Sequence, residues 1–155
     1  MHWLKIITGG QTGVDTGALD FALDNHFPCG GYCPQDRKNE NGKIPLKYPL
    51  TELNSKNYID RTLRNVIESD GTLIIKDKQP FEKGSEDTIK LCKKFNKPWL
   101  IIHTNIESDN KNQFACWLKT NQIKILNIAG NRESQSPGIE QETYQVLSFL
   151  FKPNL

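Results

Sequence analysis

A short apolar run, Leu4-Lys5-Ile6-Ile7, breaks off into Thr8-Gly9-Gly10-Gln11-Thr12-Gly13. A helical pattern starts at once, with Val14, Ala18, Leu19, Ala22 and Leu23 at helical spacing. A strand that turns through glycines straight into a helix is the opening unit of an α/β domain, and its turn is a candidate phosphate site. Gly9 and Gly10 carry no Cβ and tolerate positive φ, so backbone N–H groups there can approach a ligand closely. The orphan N–H groups of the first helical turn face the same spot, with the positive end of the helix dipole behind them. Gln11 and Thr12 add side-chain donors, which makes Gly9, Gly10, Gln11, Thr12 and Gly13 the first candidate phosphate-binding set. The same turn also suits a plain strand-to-helix connection in which Thr12 or Asp15 only caps the helix.

The rest of the chain repeats the alternation. Asn25-His26-Phe27-Pro28 stops the first helix, and Pro28 to Tyr32 reads as a second strand. Cys33 to Lys56 is irregular, with Pro34, Pro45 and Pro49 opposing a helix. Its embedded Ile44, Leu46, Tyr48, Leu50 and Leu53 favour a packed, functional loop over a disordered one. A helix capped by Ser55 or Asn57 follows, then a strand over Gly71 to Lys76 and a helix after Gly84 and Ser85. Pro98 to His103 reads as a strand buried on both faces, and Asn110 to Thr120 as a helix. Ile123 to Ile128 makes a fifth strand, and Gly138 to Phe151 the closing helix. This pattern predicts one Rossmann-like α/β domain over 1–155, a three-layer sandwich with a mainly parallel five-stranded sheet and helices on both faces. The first strand is expected at the centre, its glycine turn near the switch in strand order where such sheets bind ligands.

Several function classes drop out. No apolar run approaches the roughly 20 residues of a membrane span, and no signal peptide precedes the first strand, so a cytoplasmic location is expected. A net charge of +2 with both signs interspersed gives no field to draw nucleic acid or membrane. Cys29, Cys33, Cys92 and Cys116 lack zinc-site spacing, so free thiols and no metal are expected. His2, His26 and His103 fall away from the glycine turns and read as structural.

Thr8-Gly9-Gly10-Gln11-Thr12-Gly13-Val14-Asp15 followed by Gly17-Ala18-Leu19-Asp20 resembles the opening of the putative molybdenum carrier family. That family is similar to molybdenum cofactor carrier proteins and to the wider Rossmann-like, lysine decarboxylase-like (LOG-type) group. Gly31-Tyr32-Cys33-Pro34 with Arg37, Asp60-Arg61-Thr62, Ser69-Asp70-Gly71-Thr72-Leu73, Asn127-Ile128-Ala129-Gly130 and Ser136-Pro137-Gly138-Ile139 extend the likeness along nearly the whole chain. The resemblance implies a binding or carrier protein, and a homo-oligomer, for a phosphorylated small molecule: a nucleotide, or the molybdenum cofactor as carried ligand. Two alternatives stay open, a phosphoribohydrolase acting on nucleoside 5′-monophosphates and a nucleotide-sensing module. Where the family has a glycine pair before its third helix, this chain has Lys83-Gly84-Ser85, and Thr16 stands where an arginine is common. With Gly84 and Ser85 aligned on the phosphoribohydrolase turn, Thr88 takes the place of the glutamate and Asp87 is out of register.

Guanidinium groups suit phosphate through planar paired bonds, which nominates Arg37 and Arg132. Arg132 with Ser134 and the helix start at Gly138 forms a second candidate anion site, or else a capping loop in which Glu133 pairs with Arg132. Arg61 is expected to hold the long loop through Asp60, Glu52 or Asp70, and Asp70 to brace a strand. Tyr48 and Tyr58 fit either a stacking platform or the core. No catalytic constellation emerges; Asp15 and Asp87 are the weak carboxylate candidates for glycosidic cleavage.

Overall fold

The structure, a computed structural model, describes residues 3–153, so His2 lies outside the described residues. Five strands, β1 (Lys5–Ile7), β2 (Cys29–Gly30), β3 (Gly71–Lys76), β4 (Trp99–His103) and β5 (Ile125–Gly130), pair in parallel in the order β2-β1-β5-β3-β4. Between and after them run α1 (Val14–Asp24), α2 (Tyr58–Glu68), α3 (Lys83–Lys94), α4 (Asn110–Thr120) and α5 (Ile139–Leu150). Helix α5 packs on α1 and α4, and α2 packs on α3, which right-handed crossovers place on opposite faces of the sheet. The Rossmann-like α/β layout is the expected one.

Strand order refines where the ligand crevice falls. Counted from β5 through the chain's start and on to β4, the sheet reads 3-2-1-4-5, the doubly wound arrangement. The middle strand is therefore β5, not β1 as expected, and β1 sits between β5 and β2. Connections run in opposite directions on the two sides of the β5–β3 boundary, so the crevice opens there, with the β1 turn as its neighbour.

Three element boundaries also differ from expectation. The second strand breaks at Gly31, whose φ is +123°; Tyr32–Cys33 then pairs with Thr51–Glu52 in a separate ladder. The fourth strand is an edge strand, with only Ile102 fully buried, because its apolar composition does not reveal whether a neighbour lies on both sides. The fifth begins two residues late because Ile123 belongs to the end of α4, where its N–H bonds Leu118 O at 3.0 Å after Gln122 adopts φ +52°. The same left-handed closure ends α1 at His26 and α3 at Asn96, returning the chain to the sheet each time.

Strand residues such as Leu4, Ile6, Leu73, Leu126 and Ile128 form the main core with α1, α4 and α5. The long irregular segment has its own small core, Leu19, Cys33, Ile44 and Tyr48, which lays it over α1. No helix among the described residues is long and apolar enough to cross a membrane.

Candidate functional site

At the carboxyl ends of β5 and β1 a half-open cleft of about 220 Å³ lies between α2 and α3. Its floor is Asn127 to Gly130 of β5; Gly9, Gln11 and Asp15 close one end, and Tyr58, Arg61 and Thr62 form the α2 wall. Glu82, Lys83, Gly84, Asp87 and Thr88 make the α3 wall, and Arg132 stands over the rim.

Arg61 is buried and lies against Gly9, where a Cβ would come within 2.3 Å of its Cδ. Its Nη1 donates to Gly9 O at 2.9 Å and pairs with Asp15 Oδ2 at 3.5 Å. Its partner is therefore Asp15 rather than Asp60, Glu52 or Asp70, because α2 turns it inward to the glycine turn. Burial pushes the Asp15 carboxyl up to about 6, against the opposing pull of the Arg61 charge and the Gln11 N–H. Burial likewise holds Arg61 below its ordinary value, with Asp15 as the counterweight. Asp70 braces as expected: its Oδ2 accepts the N–H groups of Lys124 and Ile125 at 3.0 and 2.8 Å, ahead of β5 and away from the cleft.

Among the described residues, three cations lie over the Tyr58 ring, Lys38 Nζ at 4.7 Å, Arg61 at 5.0 Å and Arg132 at 5.4 Å from its centroid. Arg132 Nε also donates to Glu82 Oε2 at 2.8 Å. Glu133, which one of the two readings of this loop paired with Arg132, instead caps α5, accepting from Gly138 N at 2.6 Å and Glu140 N at 3.0 Å. Tyr48 lies in the small core and donates to Asp20 Oδ1 at 2.6 Å.

The α3 wall presents an open helix end. Ser85 N and Glu86 N both bond Glu82 O at 3.1 Å, and the N–H groups of Lys83 and Gly84 lie ahead of that ladder with no side-chain cap. A Cβ on Gly84 would meet nothing nearer than Glu82 Oε1 at 3.8 Å, so this glycine leaves space on the cleft side. Asp87, out of register with the glutamate position, nonetheless lines the cleft beside Thr88, and Lys83 Nζ holds it at 2.8 Å. Thr88 Oγ1 donates back to Gly84 O at 2.9 Å.

Asn131, which carries no charge or motif signal in the sequence, ties the two sides of the crevice together. Its Oδ1 accepts from Glu82 N and Ser85 Oγ, each at 3.0 Å. Its Nδ2 donates to Pro80 O at 2.8 Å and Ser136 Oγ at 3.1 Å. All four capacities of a buried amide are used, and the start of α3 is thereby fixed to the end of β5. An asparagine at the first position past a central strand is the one clue the sequence offers.

The remaining sequence candidates lie beside the cleft rather than in it. Gly10, at φ +76°, faces the long segment: a Cβ there would come within 2.5 Å of Leu50 Cδ1 and 2.6 Å of Ile44 Cδ1. Gly13 packs on the Asn131 carbonyl, and Ser85 on the Asn131 side chain. Arg37 is buried inside the long segment, donating to the carbonyls of Ile44, Pro45, Tyr48 and Leu50 at 2.8–3.5 Å. Thr12 and Ser134 meet the Glu40 carboxylate across the glycine turn. Neither His26 nor His103 borders the cleft, and the described residues hold no cluster of three His, Cys, Asp or Glu placed for a metal.

Comparison with known proteins agrees with the fold. Residues 6–151 match the family model described as "Circularly permutated YpsA SLOG family". A sheet that reads 3-2-1-4-5 only when counted from its last strand is what a circular permutation of a doubly wound domain produces. A crystal structure of a putative molybdenum carrier protein from Syntrophus aciditrophicus SB is 40% identical, covers 95% of this chain and 94% of its own, and superposes with a TM-score of 0.89. A search of curated proteins finds no match.

Proposed function

The chain belongs to the circularly permuted YpsA SLOG family, and from that premise we propose that it is a binding or carrier protein for a phosphorylated small molecule held in the cleft between α2 and α3. The observation that carries this reading is the uncapped start of α3, where Gly84 keeps space open in front of free N–H groups. A phosphate there meets the positive end of a helix dipole, with Arg132 at the rim and Arg61 across the cleft. The chain's own carboxylates already occupy the neighbouring positions, Glu133 at α5 and Glu40 at the β1 turn, which leaves α3 as the end open to a ligand.

The Tyr58 ring with the Arg61 and Arg132 guanidinium groups and Lys38 over it supplies a planar, cationic surface beside the phosphate position. A nucleotide and the molybdenum cofactor both offer that chemistry, a phosphate at one end and a flat heterocycle at the other. The relative named as a molybdenum carrier favours the second as cargo. At about 220 Å³ the cleft is small for such a body, so the heterocycle would extend over the rim past Tyr58 and Arg132.

A second reading has its own observation: Asp15, with its carboxyl raised to about 6, and Asp87 both line the cleft, as carboxylates acting on a glycosidic bond would. Native mass spectrometry of protein purified from the cells that make it separates these readings. A retained phosphorylated ligand, lost in Gly84→Leu, supports the carrier; recovery of protein with no small molecule and no affinity for phosphate esters by calorimetry overturns it.

A further inference from the structure

The sequence places an anion site at the glycine turn after β1, and in the structure a carboxylate from 28 residues away sits there. Glu40 lies at the tip of a hairpin in which Lys38–Asn39 pairs with Gly42–Lys43. Its Oε2 accepts from the Thr12 hydroxyl and from Ser134 N at 3.4 Å. Thr12 Oγ1 in turn accepts Glu133 N at 3.1 Å on one of its lone pairs, and its proton goes to Glu40, whose ionised carboxylate can only accept. Desolvation pushes the Glu40 carboxyl up, but hydrogen bonds from Ser134 and Thr12 and the Arg132 charge outweigh it and hold the group below its ordinary value.

A second feature marks this place as built for more than the contact it makes. Gln11 is 4% exposed, and its Oε1 accepts both Thr12 N at 3.1 Å and Glu40 N at 2.9 Å, which fixes the amide's orientation beneath the hairpin tip. Its Nε2 is then a buried donor with no partner. The hairpin tip, meanwhile, is held by Glu40, the Gln11 bond and a long one from Asn39 Nδ2 to Gly10 O at 3.4 Å, while Lys38 at its base lies over the Tyr58 ring at 4.7 Å and donates to Lys56 O at 3.4 Å. The apolar anchors, Ile44 and Tyr48, and the Arg37 clamp lie at the hairpin's base and beyond it. The tip can therefore lift without exposing core.

We propose that the position occupied by the Glu40 carboxylate is a second oxyanion subsite, made by the Thr12 hydroxyl and the Ser134 N–H with Gln11 beneath, and that the 38–43 hairpin is a displaceable strap across it. A phosphate group that takes those donors removes Glu40 and frees the tip. The strap keeps a weak or wrongly shaped anion out, because any occupant must first displace a charged competitor tethered in place. The subsite shares Gln11 and Arg132 with the cleft lining but uses none of the α3 N–H groups.

Amide NMR titration of the whole chain tests this, with wild type, Glu40→Ala and Glu40→Gln each titrated with inorganic phosphate and with AMP at constant ionic strength. In both variants the Thr12 and Ser134 amides should saturate at least tenfold lower in phosphate than in wild type. A response to AMP but not inorganic phosphate would assign the subsite to a phosphate ester. Glu40→Gln keeps the tip's shape, so it carries the test if the alanine variant loses its fold. Equal titration of wild type and variants, or shifts confined to Lys83 and Gly84, overturns the subsite while leaving the cleft reading intact. Shifts at Thr12 and Ser134 with none at Lys83 and Gly84 would do the reverse.

Discussion

Asp15 and Arg61 form a buried ion pair at 3.5 Å on the end wall of the cleft, each side chain about 10% exposed. The pair joins α1 to α2 through the glycine turn, since the same Arg61 nitrogen also holds Gly9 O. Removing one partner from such a pair leaves the other charged and unsolvated, a loss of about 3–5 kcal/mol.

The pair makes stability depend on pH in a defined direction. The folded chain binds the Asp15 proton more tightly, at about 6 against an ordinary 3.8, so this group's contribution is full below 3.8 and lost as pH rises through 6. Relative to Asp15→Asn, the wild type should lose on the order of 1.5 kcal/mol between pH 5 and pH 7.5. Urea unfolding of both proteins at the two pH values checks it; a constant difference would mean that Asp15 titrates as an ordinary carboxyl.

Asn131→Ala should destabilise by about 1–3 kcal/mol, because it takes a partner from the buried Ser85 and Ser136 hydroxyls and from the half-buried Glu82 N. Asn131→Asp keeps the acceptor and loses both donors, so it should fall between. Thermal unfolding gives the order. Equal melting of all three proteins would show that the two loops hold each other without the amide.

How far such relationships can be read in the sequence depends on their range. The alternation of strand and helix is local, and it places every major element within a few residues. Asp70, one residue before a strand, is legible for the same reason. The edge position of β4 and the middle position of β5 follow from crossover direction, which a hydrophobic pattern does not carry. Arg37 and Arg61 are alike as sequence, yet one is consumed by four carbonyls of its own loop and the other reaches the glycine turn 52 residues away. Glu40 is one carboxylate in a polar segment, and only the fold brings it to Thr12.

Gly84 gives the ligand reading an opposite pair of signs. Nothing crowds a Cβ there, and the residue lies in the first turn of α3, so Gly84→Ala should stabilise the protein by about 0.5–1 kcal/mol. The same methyl narrows the approach to the Lys83 and Gly84 N–H groups and should weaken phosphate-ester binding several-fold. Calorimetry beside thermal unfolding reads both; a stabilised variant with undiminished affinity would move the ligand away from α3.

Arg132→Ala should weaken phosphate-ester binding by about 1.5–3 kcal/mol through loss of a charge-assisted contact. Arg132→Lys should recover only part, because the planar fork that now lies over Tyr58 and pairs with Glu82 is gone. Equal affinity in all three proteins would leave Arg132 a tie between the β5 and α3 loops.

The final expectation is that turnover of nucleoside monophosphates is absent or slight. Thr88 stands on the cleft wall at the position to which the resemblance to the phosphoribohydrolases assigns a glutamate, and its hydroxyl proton is committed to Gly84 O. Asp87 does reach the cleft, one helical position away, but Lys83 Nζ holds its carboxylate at 2.8 Å. Asp15 is raised to about 6, within range for proton transfer, yet the Gln11 N–H and the Arg61 charge fix its Oδ2 against the wall. A base about 1 Å out of position can lose about 100-fold in rate. Incubation with AMP, GMP and CMP, followed by chromatography for free base and ribose 5-phosphate, should show no release above the uncatalysed background. Thr88→Glu restores the missing carboxylate on the same helical face, and a gain of base release in that variant alone would mark position 88 as the step between binding and cleavage. Efficient release by the wild type that disappears in Asp15→Asn or Asp87→Asn would make the chain a hydrolase and overturn the carrier reading.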